Sequence, residues 1–564
     1  MNKKVCSFPI LFALLALLIG ICAVVFPASA QAAPTSTGSI TVSGAVASNY
    51  DAYQIFSANV VDGDGDAKTF TDLAWASDAA RDAVLPVLHS AGMPDSQTTA
   101  QEAAEWLNTD SHLTSALSAQ LARSLQSSGA VPVALNAGTA AELPCGYWLI
   151  VARDDAIAQG EAGTAPIMAL VGGNAVTVKP KAATPKVAKH VLEDNTAAWQ
   201  KAADATVADD LYWRLSATVP AGLSAYDTYA VQFVDTMSAG LDPSKVAASM
   251  RVYVAAGADG TFDAVSNGKD GRAGTEPAQG WTDITAQCAT KVAADGTFTV
   301  RTGDLIAALG GADAFAAGAR VVAVYNAPLN SACNRGIAKG NPNEVYLRYP
   351  RSPFADQSGD AGFTRTPSDD ACAYTWDLAL TKRGSDGDKP LAGAVLSIAD
   401  DRGRTLAADG TWDAEGKATV TTGEDGRVTV SGVDSGKLEV RELKAPKGYT
   451  AFEGTRSVTV KAEGLDVDQV AAAKPKVTVS AESPLRVDAA DAGKGLVELS
   501  VLNTPSNEVS RGFMPSTGDR TLVLVTALAV IGVVAIVVGS SSSGEEVAMI
   551  NNCPPPLLNG VLPP

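Results

Sequence analysis

Histidine is scarce in this chain of 564 residues, which argues against a metal site. The three histidines have no metal-ligand spacing to one another or to a pair of cysteines. The acidic stretch "DGDGD", residues 62–66, begins like a calcium loop, but no glycine follows Asp66 and Leu73 replaces the closing glutamate. We interpret this stretch as a solvated acidic turn, and we expect neither a metal nor another cofactor.

Cysteine is scarce as well, and its placement excludes a scaffold held together by disulfides. Of the seven cysteines, two lie in the first 30 residues and one lies near the C-terminus. The four that remain are widely and irregularly spaced, at Cys145, Cys288, Cys333 and Cys372. Among them, Cys288 and Cys333 are the candidates for a bridge. If the chain is exported, something other than disulfides must stabilise it.

Positive charge is also in deficit, with 43 lysines and arginines against 61 acidic residues and a formal net charge of −18. This balance argues against nucleic acid as a partner and suits a soluble, extracellular surface. The sequence contains no phosphate-binding glycine loop and no nucleophile elbow. We therefore expect no enzymatic turnover of a substrate.

The N-terminus has the pattern of a secretory signal. Residues 1–30 have a basic start, an apolar middle and small residues at Ala28 and Ala30, which predicts cleavage after Ala30. A lipoprotein anchor at Cys22 is disfavoured because Ile21, which is not small, precedes that cysteine.

The C-terminus contains an apolar run at residues 521–539 that is long enough to span a bilayer. Such a span is usually held by a short basic tail on its cytoplasmic side. The tail that follows here, "SSSGEEVAMINNCPPPLLNGVLPP", contains no lysine or arginine. Retention of the precursor in the membrane therefore stays an open question.

About 480 residues lie between these ends, which is enough for three or four domains. Residues 34–181 mix strand and helix patterns and predict a helix-decorated N-terminal domain. Residues 182–352 and 372–505 alternate in polarity between turn residues, which predicts two β-sandwiches in tandem. Residues 353–371 are predicted as a linker, and residues 506–564 carry a spacer, the apolar span and the tail. The expected fold class is mainly β.

The pentapeptide "MPSTG" stands just before the apolar span. It resembles the LPxTG sorting signal of Gram-positive surface proteins, with methionine in the leucine position; its residues are Met514, Pro515, Ser516, Thr517 and Gly518. The resemblance implies that a sortase cysteine attacks the carbonyl of Thr517, releases Gly518 onward, and passes the threonyl group to an amine.

Strand parity places two lysines of "VTVKPK", residues 176–181, on an exposed face. Because side chains alternate along a strand, Lys179 and Lys181 lie opposite Val176 and Val178. The hexapeptide resembles the pilin motif that ends the first domain of sortase-assembled Gram-positive pilus shaft subunits, with Lys179 replacing its tyrosine. The resemblance implies that Lys181 attacks the sortase-bound threonine of the next subunit. Lys179 shares the same face and stays a candidate acceptor.

Three polar side chains continue apolar stripes between residues 372 and 505. Lys382 extends the stripe of "YTWDLALTK", Glu442 that of "KLEVRE", and Asn503 that of "VELSVLN". Together with "LAGAVL", "ELKAPKGY" and "VLNTP", this layout resembles the collagen-adhesin B-type (Cna B-like) domain, which is an immunoglobulin-like sandwich. The resemblance implies an isopeptide bond between Lys382 and Asn503, assisted by Glu442.

Residues 182–352 also contain a lysine, a carboxyl and an asparagine that adjoin apolar stripes, at a different spacing. Lys189 lies among Val187 and Val191, and Asp235 follows the stripe of "YAVQFVD". Asn343 leads the stripe of "NEVYLRY". The stretch "YDTYAVQFVDTMSAGLD" resembles the second, isopeptide-forming domain (D2) of fimbrial shaft pilins, which implies a bond between Lys189 and Asn343 with Asp235 as the carboxyl. Asn341 has the same parity as Asn343, so the choice of asparagine stays open.

Burial explains why such a bond needs three partners. Desolvation lowers the pKa of a lysine and raises that of a carboxyl, so a buried pair favours a neutral amine and a protonated acid. The amine can then attack the amide carbon while the acid polarises the amide oxygen and moves protons as ammonia leaves. The reaction occurs once per site and modifies the chain itself.

These resemblances imply a structural shaft subunit of a covalently polymerised pilus on the cell wall, with adhesion as its wider role. The expected partners are sortase, identical subunits, peptidoglycan, accessory pilins and host surface ligands, with no nucleic acid. The first alternative is a wall-anchored adhesin or a basal pilin that uses the same domains without polymerising through Lys181. The second, a wall-linked enzyme, has no site chemistry in the sequence to support it.

Overall fold

The computed structural model describes residues 37–506 except 45, 63–67, 110, 181–183, 222, 258–279, 317, 337–338 and 492. Strands make up most of its regular structure, and the longer helices all lie in the first part. The prediction of a mainly β chain, with sandwiches in tandem behind a helix-decorated first part, is confirmed. Within the described residues, no helix is both long and apolar enough to cross a bilayer; the run at 521–539 lies outside them.

The first part packs three helices against two small sheets. Its strands are β1 (Thr37–Val42), β2 (Asn49–Asp62), β3 (Lys68–Trp75), β4 (Val133–Asn136), β5 (Ala141–Pro144), β6 (Gly146–Ala152), β7 (Ile167–Val171) and β8 (Val176–Val178), and its helices are α1 (Asp78–Ser90), α2 (Ala100–Leu107) and α3 (Ser115–Ser127). The sheet orders are β5-β1-β8 and β3-β2-β6-β7, with β4 also paired to β2. Each helix begins at a hydroxyl cap, and at α2 Thr99 and Glu102 satisfy each other's backbone N–H groups.

The pilin-like stretch is the edge of the smaller sheet. β8 pairs with β1 in parallel and ends at Val178, whose side chain is buried. The next residue, Lys179, is exposed, as strand parity predicts. Lys181 lies outside the described residues.

The middle part is a sandwich of two sheets around one core. Its strands are β9 (Val187–Glu193), β10 (Ala198–Gln200), β11 (Ala202–Asp204), β12 (Tyr212–Thr218), β13 (Gln232–Met237), β14 (Arg251–Ala255), β15 (Trp281–Asp283), β16 (Ala289–Val292), β17 (Thr297–Arg301), β18 (Arg320–Asn326), β19 (Asn341–Pro350), β20 (Phe363–Arg365) and β21 (Asp369–Tyr374); two short helices are α4 (Val246–Ser249) and α5 (Leu305–Ala308). The orders are β10-β9-β12-β18-β14-β15 and β11-β21-β19-β13-β17-β16, with β20 on β19. The two inner faces meet around residues such as Trp213 and Phe233.

The segment predicted as a linker, residues 353–371, is instead built into this sandwich. β20 and the first half of β21 fall in this region, and both strands pair with β19 in antiparallel register. The correction has a physical reason: the aspartates, glycines and prolines of this stretch form the turns between short strands, and short strands leave little alternation in the sequence to detect.

The last part is a second sandwich. Its strands are β22 (Trp376–Gly384), β23 (Val395–Ala399), β24 (Thr405–Leu406), β25 (Trp412–Asp413), β26 (Val420–Thr421), β27 (Arg427–Val433), β28 (Gly436–Lys444), β29 (Tyr449–Thr450), β30 (Thr455–Glu463), β31 (Lys476–Ala481), β32 (Leu485–Asp491) and β33 (Leu496–Pro505). One sheet has the order β27-β22-β33-β29 with β32 on β33, and the other β25-β24-β23-β28-β30-β31 with β26 on β23. The first and last strands, β22 and β33, are parallel neighbours.

The candidate bridge between Cys288 and Cys333 is not formed, since none of the four cysteines of the described chain is in a disulfide. The Sγ of Cys288 donates to the carbonyl of Ile284 at 3.3 Å, whereas the Sγ of Cys333 accepts from Arg335 at 3.2 Å. Burial raises the pKa of Cys288 to about 11, which keeps it a poorly nucleophilic thiol. Wide spacing in the sequence gave no information on either environment.

We therefore expect the secreted ectodomain to release four thiols when it is denatured without reductant and titrated with a thiol reagent. A Cys145→Ser variant serves as the calibration and should release one fewer. A count of two in the wild-type protein would mean that two of these cysteines form a disulfide, contrary to this expectation.

Candidate functional site

A buried lysine and a buried aspartate meet between the two sheets of the middle sandwich. Lys189 lies on β9 and Asp235 lies on β13, and neither side chain has any exposed surface. The Nζ of Lys189 donates to Oδ2 of Asp235. Alternation along β9 points Lys189 inward beside Val191, as the sequence predicts.

A tyrosine hydroxyl completes this cluster and joins it to Asn343. The Oη of Tyr325, on β18, accepts from Lys189 Nζ at 2.9 Å and donates to Asp235 Oδ2 at 3.1 Å. It also accepts from Asn343 Nδ2 at 2.9 Å. Tyr325 was missed in the sequence: parity places it in the buried stripe of Val321 and Ala323, but an aromatic residue in such a stripe gives no sign of a role.

The two asparagines of equal parity have different surroundings. Asn343 contacts Tyr325, and its Oδ1 has no hydrogen-bond partner among the described residues. Asn341 instead donates to the carbonyls of Asn334 and Ala373, both at 3.1 Å, and accepts from the N–H of Asn334 at 2.8 Å. The two asparagines lie two residues apart on the same face of β19. Asn343 lies beside the lysine site, whereas Asn341 lies beyond it and fixes a loop.

A second ion pair holds the backbone of Lys189. Asp369 accepts from the N–H of Lys189 at 2.7 Å and also binds the ammonium of Lys201. Lys201 in turn donates to the carbonyl of Lys189 at 2.8 Å. Both backbone groups of Lys189 are thus fixed by side chains, which aligns β9 beside β21. The sequence analysis missed this pair, although Lys201 has the parity of Trp199 and Ala203.

Burial changes the protonation of the first cluster. Desolvation lowers the pKa of Lys189 to about 8, against the opposing attraction of Asp235. Desolvation also raises the pKa of Asp235, although Lys189 and Tyr325 pull it down. Both shifts favour a neutral amine beside a protonated acid.

The last sandwich holds a second cluster that again combines a lysine, a carboxyl and an asparagine. Lys382 on β22 and Asn503 on β33 both contact Glu442 on β28, in the facing sheet. Lys382 Nζ donates to Glu442 Oε2 at 3.0 Å, and Asn503 Nδ2 donates to Glu442 Oε1 at 2.8 Å. Glu442 Oε2 also accepts from the N–H of Phe452 at 3.0 Å. The structure therefore brings together all three residues that the sequence singles out here.

Strand register explains this meeting. In the parallel β22–β33 ladder Lys382 lies opposite Val501, so Asn503 is its diagonal neighbour on the same face. The ring of Phe452 lies 5.1 Å from Lys382 Nζ and covers the site. Burial lowers the pKa of Lys382, although Glu442 opposes that shift. Asn503 Oδ1 has no hydrogen-bond partner among the described residues.

The other predicted site residues cannot be placed. Lys181 and the pentapeptide at residues 514–518, including Thr517, lie outside the described residues. Over the part of the chain that is described, no group of three histidine, cysteine, aspartate or glutamate side chains is arranged to hold a metal ion.

Comparison with known proteins points to one group. Residues 377–474, the greater part of the last sandwich, match the model of the SpaA prealbumin-like fold domain. The trypsin-resistant surface T6 protein of Streptococcus pyogenes serotype M6 is 27% identical over 206 residues, which cover 34% of this chain and 36% of that protein. The chain thus spans only about a third of the length of this curated relative.

Solved structures that match this chain include the T6 backbone pilin of Streptococcus pyogenes serotype M6, at 17% identity and a TM-score of 0.45, covering 84% of this chain and 99% of that one. The major pilin SpaD of Corynebacterium diphtheriae matches at 16% identity and a TM-score of 0.40, covering 83% and 98%. Residues 377–474 are thus similar to a prealbumin-like domain of the SpaA type, and 206 residues of the chain are similar to the streptococcal surface T6 protein.

Proposed function

We propose that this protein is the structural shaft subunit of a covalently polymerised pilus anchored to the cell wall. Sortase would join the subunits head to tail by linking Lys181 of one subunit to Thr517 of the next. Two intramolecular bonds, Lys189–Asn343 and Lys382–Asn503, would stabilise each subunit. The homology to a pilin supports the shaft role, and the sequence motifs support the sortase linkage.

The observation that carries the proposal is the recurrence of one buried cluster in two successive sandwiches. Each cluster joins a lysine with no exposed side-chain surface to a carboxyl, and each lies beside an asparagine amide. A buried ion pair alone is a poor source of stability, because desolvating two charges offsets their attraction. Two such pairs, each with an amide beside it, are better explained as reactive sites.

The bond-forming reaction balances without any added reagent. The neutral amine of Lys382 attacks Cγ of Asn503, the C–Nδ2 bond breaks, and one proton moves from Nζ to Nδ2, so that ammonia leaves. Glu442 contacts both nitrogens and supports the transfer of that proton. In the first site Asp235 is the corresponding carboxyl next to Lys189. The residues act once and turn over no substrate.

The proposal extends to organisation and location. Residues 34–181 would form the N-terminal domain that ends in the acceptor lysine, residues 182–352 with the strands up to Tyr374 the D2 domain, and the part that ends at residue 505 the Cna B-like domain. Export through the signal peptide would precede a transient membrane-anchored precursor and then attachment to peptidoglycan. Sortase, identical subunits, accessory pilins and host ligands are the partners that follow.

The direct test is the intact mass of the purified ectodomain. We expect it to be lighter than its sequence mass by two ammonia molecules, one for each internal bond. Asn343→Ala and Asn503→Ala should each show a deficit of one, whereas the matched control Asn341→Ala should keep the deficit of two. A wild-type mass equal to the sequence mass would rule out the internal bonds. A crosslinked peptide containing Asn341 would change only the assignment of the asparagine.

A further inference from the structure

The two clusters differ in the group that connects the reacting nitrogens. In the last sandwich one carboxyl connects them, since Glu442 accepts from Lys382 through one oxygen and from Asn503 through the other. In the middle sandwich Asp235 uses Oδ2 for Lys189 and Tyr325, and its Oδ1 has no hydrogen-bond partner among the described residues. There the hydroxyl of Tyr325 lies between the nitrogens, 2.9 Å from each.

We propose that Tyr325 is a catalytic residue of the first site, whose hydroxyl carries the proton from Lys189 Nζ to Asn343 Nδ2 as the isopeptide bond forms. The inference rests on the proposed function, because it assigns a role within that reaction. The task that Glu442 performs alone in the last sandwich is divided here between a carboxyl and a hydroxyl.

The step is balanced in atoms and charge. Lys189 Nζ forms a bond to Cγ of Asn343 and gives one proton to Tyr325 Oη. The same hydroxyl gives its own proton to Nδ2, the Cγ–Nδ2 bond breaks, and ammonia leaves. Tyr325 ends as it began, with one proton. Protonated Asp235 supports the step by stabilising the charge that develops on the Oδ1 of Asn343.

The surroundings of Tyr325 suit a fixed relay. Its side chain is fully buried, and its ring packs edge-on against Phe298 with the centroids 4.7 Å apart. The hydroxyl has one donor and two acceptor sites, and all three are occupied by groups of the cluster. Burial holds the pKa of Tyr325 well above its usual value, so the hydroxyl passes protons on without resting as a phenolate.

The test is the Tyr325→Phe variant, which keeps the ring and removes the hydroxyl. We expect formation of the Lys189–Asn343 bond to slow by roughly a hundredfold or more, the usual effect of losing a general acid–base group. The freshly purified variant should lack one ammonia and should lose the second slowly on incubation. Intact mass over time gives the rate, and peptide mapping identifies the bond.

The same molecule contains its own control, because the Lys382–Asn503 bond has no tyrosine among the contacts of its amine and amide and should form at the wild-type rate. A purely structural role is tested in an Asn343→Ala background, where no bond can form. There, adding Tyr325→Phe should change the melting temperature by only a few degrees.

Formation of both bonds at wild-type rates in Tyr325→Phe would overturn the inference. A large loss of stability in the Asn343→Ala background would overturn it too, by showing that the hydroxyl holds the fold. Failure of the proposed function would look different, since the wild-type protein itself would then keep both ammonias.

Discussion

Replacing Lys181 by alanine is expected to abolish the ladder of high-mass species that a covalent polymer gives on denaturing gels. The expected effect is complete, because the variant lacks the amine that would accept the threonyl group from Thr517 of the next subunit. Subunits should still reach the cell envelope, since the sorting signal and the acceptor are separate parts of the chain. The measurement is an immunoblot of envelope extracts boiled in detergent.

Lys179→Ala is the matched control. Lys179 lies two residues away and is exposed, so its loss should leave the ladder nearly unchanged. If Lys179→Ala removes the ladder while Lys181→Ala keeps it, the acceptor is Lys179 and the pilin function stands. If both variants polymerise normally, the "VTVKPK" strand is not the acceptor. A wild-type strain without any ladder would favour the alternative of a non-polymerising adhesin or basal pilin.

The C-terminal tail calls for a parallel strain. A basic tail on the cytoplasmic side usually holds such a span in the membrane until sortase acts. The Lys181 and Lys179 variants should therefore also be made with a short basic tail added after residue 539. A ladder that appears only with the added tail would locate the defect in retention.

Removing either carboxyl is expected to cause a large loss of thermal stability. Glu442→Ala should keep one more ammonia and lose the constraint that links residues 382 and 503, and Asp235→Ala should do the same for residues 189 and 343. By the loop-closure relation used for disulfides, each link stabilises the folded state by on the order of 5 kcal/mol. That corresponds to roughly 10–20 °C in melting temperature for domains of this size.

Scanning calorimetry can separate the two effects when each sandwich unfolds in its own transition. Glu442→Ala should lower the transition of the last sandwich, and Asp235→Ala that of the middle one. Asn341→Ala serves as the control for a buried polar substitution that leaves both links intact. The links would contribute little if the carboxyl variants melted near the wild-type temperature while their masses showed the extra ammonia.

Strand parity predicted much of the two clusters because burial of a charged group is rare. A lysine or carboxyl that continues an apolar stripe stands out in the sequence, and Lys189, Lys382 and Glu442 are all buried as that rule requires. The rule could not choose between Asn341 and Asn343, because equal parity says nothing about which of the two lies level with Lys189.

The remaining features depend on contacts between distant parts of the chain. Tyr325 resembles any buried aromatic residue until its hydroxyl is seen among three partners. Lys201 and Asp369 are 168 residues apart in the chain, so no local pattern indicates that they form an ion pair. The segment 353–371 was predicted as a linker for the same reason, since β20 and β21 gain their order from pairing with β19.

The segment 353–371 lies between the two proposed bonds, and its position has a mechanical consequence if both bonds form. A pulling force along the pilus would cross directly from residue 189 to 343 and from 382 to 503, and would bypass the folded chain enclosed by each bond. The load between the two bonds falls on residues 344–381. There Asn343 is paired with Ala371 in the antiparallel β19–β21 ladder, and the force acts on adjacent ends of the two strands.

Antiparallel strands loaded at adjacent ends open one residue pair at a time, which requires less force than shearing all pairs together. The contacts of Asp369 with Lys201 and with the N–H of Lys189 would be among the last to break. The released segment would then extend by about 3.4 Å per residue. Each subunit would thus carry a reserve of length that yields under load and can pair again when the load is removed, while the chain enclosed by each bond carries no load.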